Sequence, residues 1–399
     1  MKQLVTILVL FLAACHGPQF SGGVETAVSD TTRIASCTYL TRDASGKVVL
    51  SWVEQQVGEE TGTLFYAVSP DEGKTFPAGK LVPTAQGILP HGENMPKMIF
   101  RPNGEVIAMY GAQSNDPRNK YAGKVFYTIS PDGGATWQPS VPLVTDPAGY
   151  DQRYFDMVVL PSGEAAVIWL DNRKLVQKEG STLYIATTGG TPGFHRERPI
   201  VQTVCQCCRT ALYVDAQGGL HAAFRDIIQD TIRDMVHIFS KDGGETFTQP
   251  VRISADNWAI NGCPHTGPAM VRNANGLHFA WFTMGGGEGV FYCQSPDNGI
   301  TYTRKENISA LPTAKHPQLA VLGKGDLALV WDEAADTSGN RIGILHKSAD
   351  GKTLNRDFLT AETEFAGFPV LEQTAEGVLV AYKKRRNGKE GVYVKSLRL

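Results

Sequence analysis

The chain of 399 residues has almost no excess of either charge. Its 38 Lys and Arg stand against 40 Asp and Glu, a formal net charge of −2. Without a basic footprint, nucleic acid is excluded as the main partner. Long apolar runs are lacking as well: the one continuous run, Leu4 to Ala14, is too short to span a bilayer, so a multispanning membrane protein is excluded. No phosphate-cradling glycine loop, nucleophile elbow or helical DNA-reading motif occurs. Disorder is excluded because branched and aromatic residues are spread evenly along the chain. What is plentiful is glycine, with 42 residues against an average of roughly 7%, which points to many tight turns. The length exceeds one average domain and calls for two domains or one repeat architecture.

Lys2, the apolar run and the small residues that end it read as an export signal. Leu12-Ala13-Ala14-Cys15 resembles a bacterial lipobox. That resemblance implies removal of residues 1–14 and acylation of Cys15, which makes a lipid bilayer the partner. It also implies a place in the bacterial cell envelope, with His16 after the cysteine favouring the outer membrane, facing the periplasm or the surface. Residues 15–23 then form a polar tether and residues 24–399 one globular domain.

Internal repeats decide the fold. A turn motif recurs as Ser69-Pro-Asp-Glu-Gly-Lys-Thr-Phe76, Ser130-Pro-Asp-Gly-Gly-Ala-Thr-Trp137, Ser240-Lys-Asp-Gly-Gly-Glu-Thr-Phe247 and Ser295-Pro-Asp-Asn-Gly-Ile-Thr-Tyr302. A degraded copy follows at Ser348-Ala-Asp-Gly-Lys-Thr353, and a worn one at Thr187-Thr-Gly-Gly-Thr-Pro-Gly-Phe194. In such a turn the Asp carboxylate accepts backbone N–H groups, glycine supplies positive φ and the last aromatic packs beneath. The motif resembles the Asp-box, or BNR repeat, of sialidase-type propellers.

Between the boxes each unit carries an apolar strand, a turn glycine (Gly46, Gly104, Gly163, Gly219, Gly276, Gly325 or Gly377) and a second strand. The second strands end in Trp52-Val-Glu54, Tyr110-Gly-Ala-Gln113, Trp169-Leu-Asp171, Phe224-Arg-Asp226, Trp281-Phe-Thr283, Trp331-Asp-Glu333 and Tyr382-Lys-Lys384. Short alternating strands at this period predict an all-β fold: a β-propeller of four-stranded antiparallel blades. Seven blades are favoured, with six plus a C-terminal hairpin as the alternative. The last unit ends after its third strand, so Val24 to Val28 is expected to supply the fourth and close the ring.

In such a blade the start of strand one and the end of strand two share one face, and the boxes lie on the other. The shared face collects His91, Arg153, Asp156, Asp171, Arg173, Cys205, Cys207, Cys208, Arg209, Arg225, Asp226, Cys263, His265, His316 and Glu333. Cys205-x-Cys207-Cys208 and Cys263-Pro-His265 open adjacent units. Two readings stay open for them: disulfides, or a thiolate and imidazole site for copper or zinc. His91, His265 and His316 together point to metal or acid–base work.

The chain as a whole resembles the sialidase superfamily, in particular its exported BNR-repeat members often described as exo-α-sialidases. The resemblance implies an exo-glycosidase of the sialidase type acting on anionic glycans. In that family arginines clamp the substrate carboxylate, and a tyrosine nucleophile works with acidic residues. On this reading Arg153, Arg173, Arg209, Arg225, His91 and His316 bind substrate, and Asp156, Asp171, Asp226 and Glu333 are the catalytic candidates. The family's opening Arg-Ile-Pro stands here as Arg33-Ile34-Ala35, and no Tyr–Glu pair is matched. A binding protein for copper or zinc and a non-enzymatic envelope scaffold are the rival functions.

Overall fold

The computed structural model describes residues 20–334, 336 and 339–399. The export signal and Cys15 lie outside the described residues, as does most of the tether. Among the described residues there is no α-helix. The strands form six hydrogen-bonded sheets, five with four strands and one with eight, every pairing antiparallel. The eight-stranded sheet is two runs of four joined by the single pair Val204↔Asp226. The 14-residue strand Thr191–Val204 is long enough for its end to reach the neighbouring Leu220–Ile228.

Among the described residues these two runs and the five four-stranded sheets follow one another along the chain as units. Their innermost strands are Ile34–Arg42, Lys97–Phe100, Gln152–Val159, Ala211–Val214, Ala269–Asn273, Lys315–Val321 and Phe365–Thr374. Each innermost strand lies against the next, and the last lies against the first. A cavity of about 200 Å³ is lined from all seven units, by Tyr39, Lys97, Asp156, Arg209, Met270, Gln318 and Leu371 among others. The N-terminal segment supplies the outer strand of the last unit, with Thr26↔Val394 and Ala27↔Tyr393 in antiparallel register.

The second strands carry the core. Ala165–Asp171, Gly276–Thr283 and Leu327–Glu333 are buried at every position, because neighbouring sheets cover both of their faces. Trp52, Trp169, Trp281 and Trp331 occupy equivalent places and are at most 1% exposed. A buried indole N–H needs an acceptor. Trp52 donates to Glu54 at 2.8 Å, Trp169 to Asp171 at 2.9 Å and Trp331 to Glu333 at 2.7 Å. In each case the acceptor is two residues on, on the same side of the strand. Trp281 has Thr283 at that place, and a loop carboxylate, Asp256, reaches in at 2.8 Å instead.

The boxes sit between the third and fourth strands and share one geometry. In the second unit Asp132 accepts Thr136 N–H at 2.8 Å and Thr136 Oγ–H at 2.6 Å, and Ser130 Oγ accepts Gly134 N–H at 2.7 Å. The same bonds recur around Asp71, Asp242 and Asp297. Gly134, at φ +95°, lies directly on the Tyr66 hydroxyl of the preceding unit, where a Cβ would collide. The boxes therefore staple adjacent units.

Two expectations are corrected in detail. The turn glycine of the fourth unit with positive φ is Gly218, at +84°, and not Gly219. The worn copy at 187–194 is a plain hairpin, in which Gly189 pairs with Thr191. Its Phe194 keeps the aromatic role, meeting Tyr127 edge-on at 5.2 Å.

Candidate functional site at the mouth of the central channel

Five innermost-strand entries share a backbone irregularity. Cys37, Tyr154, His265, His316 and Phe368 all have φ between 50° and 59°. Four of them sit at register shifts, between Ser36 and Tyr39, Arg153 and Asp156, Lys315 and Gln318, and Gly367 and Val370. Side chains this bulky avoid the left-handed region, at about 1–3 kcal/mol each, so the surrounding structure must hold them there. A bulge with this conformation re-aims the side chain. All five line the mouth of the channel.

The larger mouth pocket, about 470 Å³, is lined by His91, Glu93, His265, Lys315, His316 and Phe368, with Cys37 and Lys383 beside them. An adjoining pocket of about 280 Å³ shares His91 and His265 and adds Tyr121, Arg153 and Tyr154. The His91 ring is centred 6.1 Å from His265 and 5.9 Å from Tyr154. The structure thus gathers all three mouth histidines at one opening.

His316 is the most tightly built of them. Its Nδ1 lies 2.8 Å from Asp332 Oδ2, and its ring stacks on Phe368 at 3.9 Å. Phe368 N–H also donates to Asp332, at 2.6 Å. Burial disfavours the His316 imidazolium, but the Asp332 carboxylate and, more weakly, Glu93 outweigh burial and raise its pKa above the ordinary value. Burial wins at His91 and lowers its pKa. His91 Nδ1 accepts Glu93 N–H at 3.2 Å, which leaves the proton of the neutral ring on Nε2.

Glu93 and Arg209 separate the mouth from the inner cavity. Glu93 is 2% exposed and faces the mouth; Arg209 is 6% exposed and faces the cavity. Arg209 Nε lies 3.4 Å from Glu93 Oε2, which also accepts Gly267 N–H at 2.7 Å. Arg209 Nη2 donates to the carbonyls of Gly267 and Pro317, each at 3.4 Å. One side chain thus ties the second, fourth, fifth and sixth units at the axis.

The other arginines are held by protein groups. Arg153 pairs with Asp151 at 2.7 Å, and Arg173 pairs with Asp171 at 2.8 Å and Glu197 at 2.7 Å. Arg225 is 1% exposed and donates to the carbonyls of Arg233 and Phe282 at 2.9 and 2.7 Å. The carboxylates are engaged too. Asp171 and Glu333 receive indole N–H groups, and Asp156 binds Lys97 Nζ at 2.7 Å and Leu212 N–H at 2.8 Å. Asp226 accepts Ile227 N–H and the Thr203 hydroxyl, and burial raises its pKa to about 6.

The thiol cluster divides. Cys205 Sγ lies 3.5 Å from Cys207 Sγ and 3.9 Å from Cys208 Sγ, and all three residues are buried. Cys263 is exposed and outside this group, and His265 is at the mouth beside His91. All six described cysteines are free thiols.

Sequence reasoning missed Glu93 and Phe368 as parts of the site, and the pairing of Asp332 with His316. The signal for Asp332 was strand alternation: Trp331 and Glu333 share one side of their strand, so Asp332 must point to the other.

No protein-family model matches the chain, and no curated protein matches it in sequence. Solved structures do match. A protein of unknown function from Dyadobacter fermentans aligns over 94% of this chain and 98% of its own, with 14% identity and a TM-score of 0.54. The intramolecular trans-sialidase of Ruminococcus gnavus aligns over 93% and 95%, with 10% identity and a TM-score of 0.51. The leech intramolecular trans-sialidase aligns over 80% and 67%, with 11% identity and a TM-score of 0.51. This chain shares the fold of these proteins.

Proposed function

We propose that this chain is a seven-bladed, sialidase-like propeller hydrolase, the eight-stranded sheet counting as two blades, that takes the terminal anionic sugar of a glycan at its mouth. It is held at a bacterial envelope membrane through acylated Cys15. The observation that carries the reading is the His316–Asp332 pair, at 2.8 Å, lining a pocket of about 470 Å³. That volume fits one sugar residue and falls in the range of small-ligand sites.

The chemistry follows from unlike environments. Two titratable groups in one pocket, one pushed up and one pushed down, divide the proton work between them. His316, charged by Asp332, donates from Nε2 to the leaving-group oxygen, as a general acid. Neutral His91 offers Nε2–H to the sugar, and Lys315 attracts its carboxylate. This departs from the arginine clamp that the superfamily resemblance implies, because Arg153, Arg173, Arg209 and Arg225 are already bonded within the protein. Their roles on this reading are structural, as are those of Asp156, Asp171 and Glu333.

A panel of fluorogenic glycosides of sialic, glucuronic and neutral sugars tests the reading. Turnover of an anionic member, lost in His316→Ala and at least tenfold lower in Asp332→Asn, is the expected result. No turnover of any anionic member, or turnover indifferent to both substitutions, rejects it.

A further inference from the structure

The thiol cluster of the fourth unit has no part in the mouth chemistry. We propose that Cys205, Cys207 and Cys208 form a three-coordinate site for one soft monovalent cation, Cu(I).

The sulfurs are 3.5 and 3.9 Å apart from Cys205, and all lie within 4.8 Å of one another. An ion held by three thiolates at about 2.3 Å sets its sulfurs about 4 Å apart, so the triangle already has the right size. Among the described residues the group contains three ligand atoms and no fourth. Structural zinc sites use four ligands, whereas an all-thiolate set is soft and selects Cu(I). The site is also dry: the three cysteines are 0–4% exposed and pack with Ile227.

A further observation comes from the charges alongside. Arg225 is 1% exposed and makes no ion pair among the described residues, and its Nε has no hydrogen-bond partner. A buried charge without a counter-charge is costly. Arg233 Nη1 lies 3.3 Å from Cys205 Sγ, while its Nη2 reaches the half-exposed Glu179 at 2.5 Å. Arg225, whose carbonyl accepts Cys205 N–H at 2.9 Å, thus stands with Arg233 beside the cluster and has no carboxylate. Three thiolates around a monovalent cation carry two negative charges, which supplies that need. Loading releases the three thiol protons to solvent as three sulfur–metal bonds form, and no electron is transferred when the metal arrives as Cu(I).

The test uses the reduced full chain, titrated without oxygen with Cu(I) bathocuproine disulfonate. The expected result is withdrawal of one equivalent of Cu(I), with X-ray absorption showing three sulfur ligands at about 2.3 Å. Cys205→Ser and Cys207→Ser are expected to lower the affinity at least tenfold, and Cys263→Ser to leave it unchanged. Should either serine variant misfold, the wild-type coordination number decides alone. Failure to withdraw copper, displacement of Cu(I) by equimolar Zn(II), or a disulfide between two of the three sulfurs in the isolated protein overturns the proposal. None of these readouts depends on the mouth reading.

Discussion

One face of the molecule repeats itself and the other does not. On the box face, Asp71, Asp132, Asp242 and Asp297 each accept the N–H and hydroxyl of a threonine four residues on, at 2.6–2.9 Å. On the mouth face, equivalent strand entries carry Cys37, Tyr154, His265, His316 and Phe368, alike in backbone and different in chemistry. The contrast follows from what each face touches. A box meets the neighbouring unit, so each unit needs the same staple. The mouth meets the channel axis, where each unit adds one side chain to a common pocket. Repetition therefore marks structure here, and its breakdown marks the site.

The sharpest way to break this contrast is at the axis. Arg209→Leu leaves Glu93 buried without its guanidinium, and removing one member of a buried pair costs about 3–5 kcal/mol. Denaturant unfolding should show that loss, and adding Glu93→Leu should recover most of it. A loss below about 1 kcal/mol in the single variant would mean that the axis is not tied there.

Asp226 sharpens the contrast with the opposite sign. Its folded pKa, about 6, stands above the ordinary carboxylate value of 3.8 because of burial. The contribution to stability is therefore fully present below pH 3.8 and is lost as pH rises through 6. Asp226→Asn should stabilise the protein at pH 7 by on the order of 1–3 kcal/mol and make no difference near pH 3.5. An equal effect at both pH values would refute the burial account.

The smallest effects belong to the box face. Asp242→Ala removes two acceptor bonds to Thr246 and should lower the melting temperature modestly. Asp350→Ala, in the degraded copy, loses its bond from Ser348 and an ion pair to the exposed Lys352, and should lower it less. Differential scanning calorimetry ranks the two, and a larger effect at Asp350 would contradict a staple role for the boxes. Neither change should alter the mouth.

Much of the fold was legible because its signals are local. Box residues bond within five positions of sequence, and the closing strand at 24–28 was read from a unit one strand short. The site was less legible because it is assembled across units. Arg153 and Arg173 pair with Asp151 and Asp171, two residues earlier, and not with sequence-adjacent acids. Residues two apart share a face of a strand, and adjacent ones do not. Cys263 and His265 open the unit next to Cys205, yet the left-handed backbone at His265 accompanies a side chain placed beside His91. Unit order follows from sequence; the rotation imposed by a bulge does not. Glu93 was hidden for a related reason, since its partners Arg209 and Gly267 lie 116 and 174 residues away.

The central claim, that the mouth is an acid pocket for an anionic sugar, is tested most directly by calorimetry. Binding of N-acetylneuraminate and of glucuronate is compared with that of glucose at pH 6 and pH 9. Because the His316 pKa is raised above 6.5, the imidazolium is present at pH 6 and is lost as pH rises through that raised value. The account predicts that at least one anionic sugar binds at pH 6, binds more weakly at pH 9, and outcompetes glucose. Binding of neither acid at pH 6, or an affinity unchanged between the two pH values, would contradict it.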